Sequence, residues 1–324
     1  MSVSAVAARP KIFSTIAAIT VFGLFVAKVR AGEERVQLRT ESGTLHGTLA
    51  LPGGAPPFPV VIIIAGSGPT DRDGNQPQLK NDSLKLLAQA LAAEGIASLR
   101  YDKRGIGESA AAGSKEEQLR FEMYVGDAVQ WVGTVRKDSR FSRVGLIGHS
   151  EGSLIGMIAA KQTEIDAFVS IAGAGQAAPA VLRSQLSAKL PNNLRVKFEQ
   201  SLDELTAGRT VADAPPELAF LFRPTLQPYL ISWFKYDPAR EIAGLDVPVL
   251  LVQGTTDLQV GADDAKRLAA AKREAKLVLV DNMNHVLKRA VTPAEQQAAY
   301  TDPSLPIEPK AVEEITGFLR SVQR

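Results

Sequence analysis

There is no cysteine anywhere in the 324 residues. That excludes a disulfide framework, a thiol nucleophile and any metal site built on thiolates. Histidine is nearly as scarce: His46, His149 and His285 stand far apart, and none shows the close spacing of a zinc motif. Neither charge sign dominates, because 37 Lys and Arg face 35 Asp and Glu for a net +2. A nucleic-acid footprint is thereby ruled out. The uncharged run Ile12–Ala27 falls short of the ~20 residues that cross a bilayer as a helix. Apolar material is what the chain has in quantity: 45% of its residues are hydrophobic, enough for one large core and too many for a disordered chain.

Residues 1–31 contain Arg9, Lys11, Lys28 and Arg30 and no acid. Arg9 and Lys11 precede the uncharged run, and Val29-Arg30-Ala31 then offers small residues where a signal peptidase reads. This is the layout of a secretory signal, either cleaved or kept as an anchor. It places the body of the protein outside the cytoplasm, periplasmic or secreted, with membrane contact only through this segment. Residues 32–324 are then expected to form one domain, although length alone would allow two.

Arg35–Arg39 and Thr44–Leu51 alternate around Glu41-Ser42-Gly43, which predicts a hairpin. Val60–Ala65 is a continuous β-branched run of the kind buried on both faces in a parallel sheet. Similar runs recur at Ile96–Tyr101, Val144–Ile147, Ala167–Ile171, Val247–Val252 and Leu277–Val280. Between them lie helical stripes, such as Leu84, Leu87, Ala88 and Leu91, or Phe121, Val125, Ala128, Val132 and Val135. Alternating strands and helices imply a parallel α/β sheet. One stretch breaks the alternation: from about 175 to 240 there are only helical segments, punctuated by prolines and rich in aromatics. It reads as a helical cap over the strand ends. Pro309–Val322 predicts a final amphipathic helix.

The chemistry is concentrated where strands end. Val144–Ile147 runs into Gly148-His149-Ser150-Glu151-Gly152, followed by a helical segment, so G-x-S-x-G stands in strand–turn–helix context. The glycines keep a sharp turn free of side chains, and Ser150 is lifted to a helix N-terminus where the Glu151 N–H faces a developing oxyanion. Asp257 follows the strand ending at Val252, and His285 follows the one ending at Val280. The order Ser150, Asp257, His285 suits a nucleophile, its orienting acid and its base. The loop Gly66–Asn75 is expected to give the second donor, the Ser67 N–H.

These motifs resemble the α/β-hydrolase superfamily, in particular bacterial serine carboxylesterases and serine-aminopeptidase-like hydrolases. The resemblance runs from about Val36 to Leu319 and includes Asp102-Lys103-Arg104-Gly105-Ile106-Gly107-Glu108-Ser109, similar to the family's D-x-R-G-x-G-x-S loop. It implies a mostly parallel eight-stranded sheet with helices on both faces, and no cofactor. Ala65 before Gly66 departs from the family's H-G oxyanion loop. The expected activity is cleavage of small carboxylic esters, of short to medium acyl chain, through an acyl-enzyme. Arg223, Tyr229 and Trp233 are candidates for the substrate pocket, and no metal site is expected.

Asp281 is the rival acid, disfavoured because it follows the same strand as His285. Asp71, Asp73 and Asn75 faintly resemble a calcium loop, but the glycine falls at the wrong offset, so a polar loop network is expected. His149 is expected to pack or hydrogen-bond in the elbow, and Glu151 to pair with Lys103 or Arg104. An aminopeptidase would need a carboxylate for the substrate's amine, and Glu199, Asp203 and Glu204 in the cap are candidates for it, although their helical spacing equally suits a solvated face, which is the favoured reading. A non-catalytic ligand-binding protein is the remaining alternative.

Overall fold

The structure is a computed structural model that describes residues 1, 29–113 and 115–322. The leader expected from the sequence lies, up to residue 28, outside the described residues. Among the described residues there are eight strands: β1 (Gly32–Thr40), β2 (Gly43–Leu51), β3 (Phe58–Ile64), β4 (Ala97–Tyr101), β5 (Phe141–His149), β6 (Ala167–Ile171), β7 (Val249–Gly254) and β8 (Lys276–Val280). The α-helices are α1 (Ser83–Ala93), α2 (Phe121–Arg136), α3 (Glu151–Ala160), α4 (Ala178–Leu186), α5 (Asn192–Thr206), α6 (Ala219–Phe222), α7 (Gln227–Phe234), α8 (Pro238–Ala243), α9 (Ala262–Ala271), α10 (Pro293–Thr301) and α11 (Pro309–Ser321).

One sheet holds all eight strands in the order β1-β2-β4-β3-β5-β6-β7-β8. β1 pairs β2 and β2 pairs β4 antiparallel, and the five remaining pairs are parallel. The unbroken apolar run of β3 has a direct physical use. Side chains alternate across a strand. Val60, Ile62 and Ile64 enter a core with Tyr124, Trp131 and Ile155 of α2 and α3, whereas Val61 and Ile63 enter a second core with Leu84, Leu87 and Ile315 of α1 and α11. A strand covered on both sides is buried on both faces and is mostly apolar. β4, β6 and β7 are buried along their whole length for the same reason.

Helices α4–α8 occupy the chain between β6 and β7 and contribute Phe198, Leu202, Phe222 and Leu230 to the first core. Their attachment is also polar. Ser232 of α7 accepts a hydrogen bond at 2.8 Å from the Phe121 N–H, one of the donors left unpaired at the start of α2. Among the described residues no helix is long and apolar enough to cross a membrane.

Candidate active site

The loops after β3, β4, β5, β7 and β8 all leave the carboxyl edge of the parallel sheet, where open α/β sheets gather ligands. At the centre, β5 turns into α3 within one residue. Ser150 takes φ 55° and ψ −121°, a conformation that a side-chain-bearing residue holds only when its surroundings enforce it. The enforcement is steric and local. A Cβ on Gly148 would lie 2.3 Å from the Gly152 carbonyl oxygen, and one on Gly152 would lie 2.2 Å from the Ile64 carbonyl oxygen. Neither position admits any other residue, and the Ser150 hydroxyl is thereby held at the start of a helix.

Asp257 and His285 meet at the other side of this edge. His285 Nδ1 donates to Asp257 Oδ2 at 2.8 Å, with the carboxylate side chain fully buried and the imidazole 6% exposed. Asp257 Oδ1 accepts from the Gln259 and Val260 N–H groups at 2.8 and 3.0 Å, and Gln253 Nε2 reaches Oδ2 at 3.2 Å. Burial pushes the Asp257 carboxyl up, but the His285 hydrogen bond and charge, with the two backbone donors, outweigh it, and its pKa sits below the ordinary value. An acid held in this way stays ionised and fixes the imidazole with Nε2 left for a substrate-side proton.

No hydrogen bond joins the Ser150 hydroxyl to His285 among the described residues, and contacts of this kind tighten when substrate is bound. The two residues are nonetheless neighbours. His149, next to Ser150 in the chain, donates from Nε2 to the His285 carbonyl oxygen at 2.8 Å, and the two rings stand 4.9 Å apart. Burial, and then the charge of His285, pull the His149 pKa down to about 4, so the ring is neutral and serves as a donor. A second positive charge is therefore kept away from any imidazolium that forms on His285. Left-handed backbone at Asn282 and Leu287 brackets the loop that carries His285. Asn284 Oδ1 accepts from the Val286 and Lys288 N–H groups at 3.1 Å and locks its turn.

Three consecutive residues after β4 explain the D-x-R-G-x-G-x-S pattern. Asp102 accepts from the Arg72 backbone and guanidinium at 2.8 and 2.6 Å, which ties down the loop after β3. Lys103 donates to the Gly66 carbonyl oxygen and, at 3.4 Å, to Glu151 Oε2. Arg104 pairs with Asp127 of α2. Each charge is buried, and each has a partner, as burial of charge requires. Of the two partners expected for Glu151, the structure places Lys103. Tyr229 completes this island by donating to Glu151 Oε1, and burial followed by the Glu151 charge raises its pKa well above the ordinary value, keeping the hydroxyl protonated.

A cavity of about 670 Å³ opens beside Ser150. That is within the ~300–1,000 Å³ typical of small-molecule sites. Ser67, Glu151, Arg223, Tyr229 and Trp233 all line it, as do Leu154, Leu182, Leu221 and Leu230. Asp257 and His285 do not line it; Gln259 and Val260 of the same loop do. Asp71 forms the polar network expected of its loop, with Oδ1 accepting from Asp73 and Asn75 N–H. The cap carboxylates are paired outside the cavity, in keeping with the solvated-face reading. Glu199 and Asp203 are taken up by Arg183 and Glu204 by Arg209, and none of the three lines the cavity. Their helix presents them to neighbouring arginines, a partner assignment that spacing alone does not reveal. Gln253 and Asn284 escaped the sequence reading as parts of the site, and Lys103 entered it only as one of two partners for Glu151. Only Asn284, an Asx-turn former beside the base, carried a local signal.

Sheet order, elbow and loop positions together make this an α/β-hydrolase-fold protein. The family model for serine aminopeptidase, S33, matches residues 82–226. Esterase EstD of Thermotoga maritima is 28% identical over 246 residues, which is 75% of this chain and 58% of that protein. The chain thus spans little more than half the length of that curated relative. Est1E from Butyrivibrio proteoclasticus, solved with ferulic acid bound, superposes with a TM-score of 0.61 at 19% identity, covering 89% of this chain and 97% of that one. The Pyrococcus furiosus esterase Pf2001 gives 0.57 at 16% identity, with 91% and 92% covered.

Proposed function

We propose that the protein is a serine hydrolase that cleaves small carboxylic esters through an acyl-enzyme. The observation that carries this reading is Ser150 in an enforced elbow beside an imidazole oriented by a buried carboxylate. Ser150 Oγ attacks the ester carbonyl carbon as His285 Nε2 takes its proton. Negative charge develops on the carbonyl oxygen and is met by the Ser67 and Glu151 N–H groups. The tetrahedral species collapses, the carbon–oxygen bond to the leaving alkoxide breaks, and His285 returns the proton to it. Water then repeats the sequence on the acyl-enzyme, and the acid is released.

Esters are favoured over amino-terminal peptides by the state of the cavity's carboxylates. Glu151 is engaged by Lys103 and Tyr229, and Glu116 by Arg223 and Thr225, which leaves neither to hold a free ammonium. The curated relative is an esterase, which supports the same choice. The leucine-lined volume suits short- to medium-chain acyl groups. The basic-then-apolar leader supports an extracytoplasmic location. The test is covalent. A fluorophosphonate probe labels Ser150 in the wild type and not in Ser150→Ala, and p-nitrophenyl esters from acetate to dodecanoate are turned over with a maximum at short or medium length. Labelling that persists in Ser150→Ala, or cleavage of amino-terminal peptides with no ester turnover, overturns the proposal.

A further inference from the structure

We infer that Lys103 is a positioning residue for oxyanion binding, acting through the Gly66–Ser67 peptide and resting on the acyl-transfer reading above. Its ammonium is among the most deeply buried charges of the described residues, with 2% of its side chain exposed, and its polar partners among them are the Gly66 carbonyl oxygen and Glu151 Oε2. Both belong to residues that frame the nucleophile. A Cβ placed on Gly66 would lie 3.1 Å from the Ser150 Cβ, and Glu151 follows Ser150 in the chain.

Peptide geometry turns this contact into a directional constraint. The Gly66–Ser67 bond is trans and planar, so its C=O and N–H point in opposite directions. Gripping the carbonyl oxygen from below the elbow therefore aims the Ser67 N–H the other way and polarises the amide that carries it. The next carbonyl is held as well. Thr70 Oγ1 donates to the Ser67 oxygen at 2.7 Å and itself accepts from Gln76 Nε2 at 2.9 Å. With the carbonyls on both sides of the Ser67 α-carbon fixed, that residue cannot rotate its N–H away from the site. The stacking of the ammonium over the Tyr124 ring, 5.2 Å from its centroid, holds the lysine on a second side. Lys103 thereby joins the two strands of backbone that supply the oxyanion donors, one by its peptide and the other by its side chain.

A lysine that merely neutralises Glu151 would look similar in a contact map, and the experiment separates the two roles. In Lys103→Met, kcat on p-nitrophenyl butyrate falls 10- to 100-fold while KM changes by less than about threefold, because only the transition state carries the oxyanion. A trifluoromethyl ketone loses affinity by the same factor as kcat. Lys103→Met/Glu151→Gln removes the buried carboxylate that the single change strands, and it retains the Glu151 N–H position. It melts near the wild type and stays slow. A double variant restored to within twofold of wild-type kcat shows that charge neutralisation is the whole role and overturns the inference, as does a loss confined to KM. Wild-type protein that neither turns over esters nor reacts with fluorophosphonate overturns the functional reading, and the inference falls with it.

Discussion

Acid should weaken this protein through one buried ring. His149 sits fully enclosed, its pKa drawn down to about 4 from 6.5, first by burial and then by the charge of His285. The unfolded chain takes up a proton near 6.5 and the folded chain refuses it until about 4, so the unfolded state binds more protons throughout that window. Stability contributed by the neutral ring is therefore complete above pH 6.5 and is lost as pH falls toward 4. At about 1.4 kcal/mol per pK unit, the loss is about 2 kcal/mol at pH 5 and about 3 kcal/mol at pH 4. His149→Gln isolates this contribution, because a glutamine amide can donate to the His285 carbonyl from nearly the same point and cannot protonate. Urea midpoints measured at half-unit steps from pH 7.5 to 4 give the comparison, and carboxylate contributions common to both proteins cancel. The wild-type curve should fall away from the variant's below pH 6.5. Parallel curves would refute the reasoning, since they would mean that the ring carries the same protonation in both states.

Other perturbations follow from the same contacts. Asp257→Asn should lower kcat about 10⁴-fold with KM nearly unchanged, by removing the acceptor that fixes the His285 tautomer; steady-state kinetics on p-nitrophenyl esters decide it. Gly152→Ala should cost at least ~3 kcal/mol in chemical denaturation or prevent folding, since its new carbon would meet the Ile64 carbonyl at 2.2 Å. Arg104→Met should cost about 3–5 kcal/mol by stranding the Asp127 carboxylate, and Arg104→Met/Asp127→Leu should recover most of it; thermal melts of the three proteins test the pair.

Much of this molecule is written locally. The runs Val60–Ala65 and Val247–Val252 announce buried strands because a strand covered on both faces reads as a near-continuous apolar run, and the structure forms β3 and β7 there. The elbow is equally legible: glycine two residues either side of a serine is a steric instruction, carried out at Gly148 and Gly152. What periodicity does not convey is which of several nearby charges meets which. Lys103 and Arg104 adjoin in sequence yet serve different elements, one the elbow and the other α2. Glu199 and Asp203 share a helix face whose partner, Arg183, is supplied by α4. Gln253 is anonymous inside a strand and reveals its purpose only when the chain after β7 folds back on it. Such pairings are settled by tertiary geometry, long after the local pattern has been spent.

The segment between β6 and β7 leaves one strand and returns to its immediate neighbour in the sheet. The α4–α8 helices can accordingly be exchanged for another set without rerouting the proposed catalytic scaffold, because Ser150, Asp257 and His285 all stand outside them. The exchange is bounded by polar seams that include Tyr229 to Glu151, Ser232 to the head of α2, Arg223 to Glu116, Glu241 to Lys161 and Gln185 to the Gln259 carbonyl. A graft that respects those seams alters what is admitted while the reacting atoms keep their places, so selectivity and chemistry can diverge independently within one architecture.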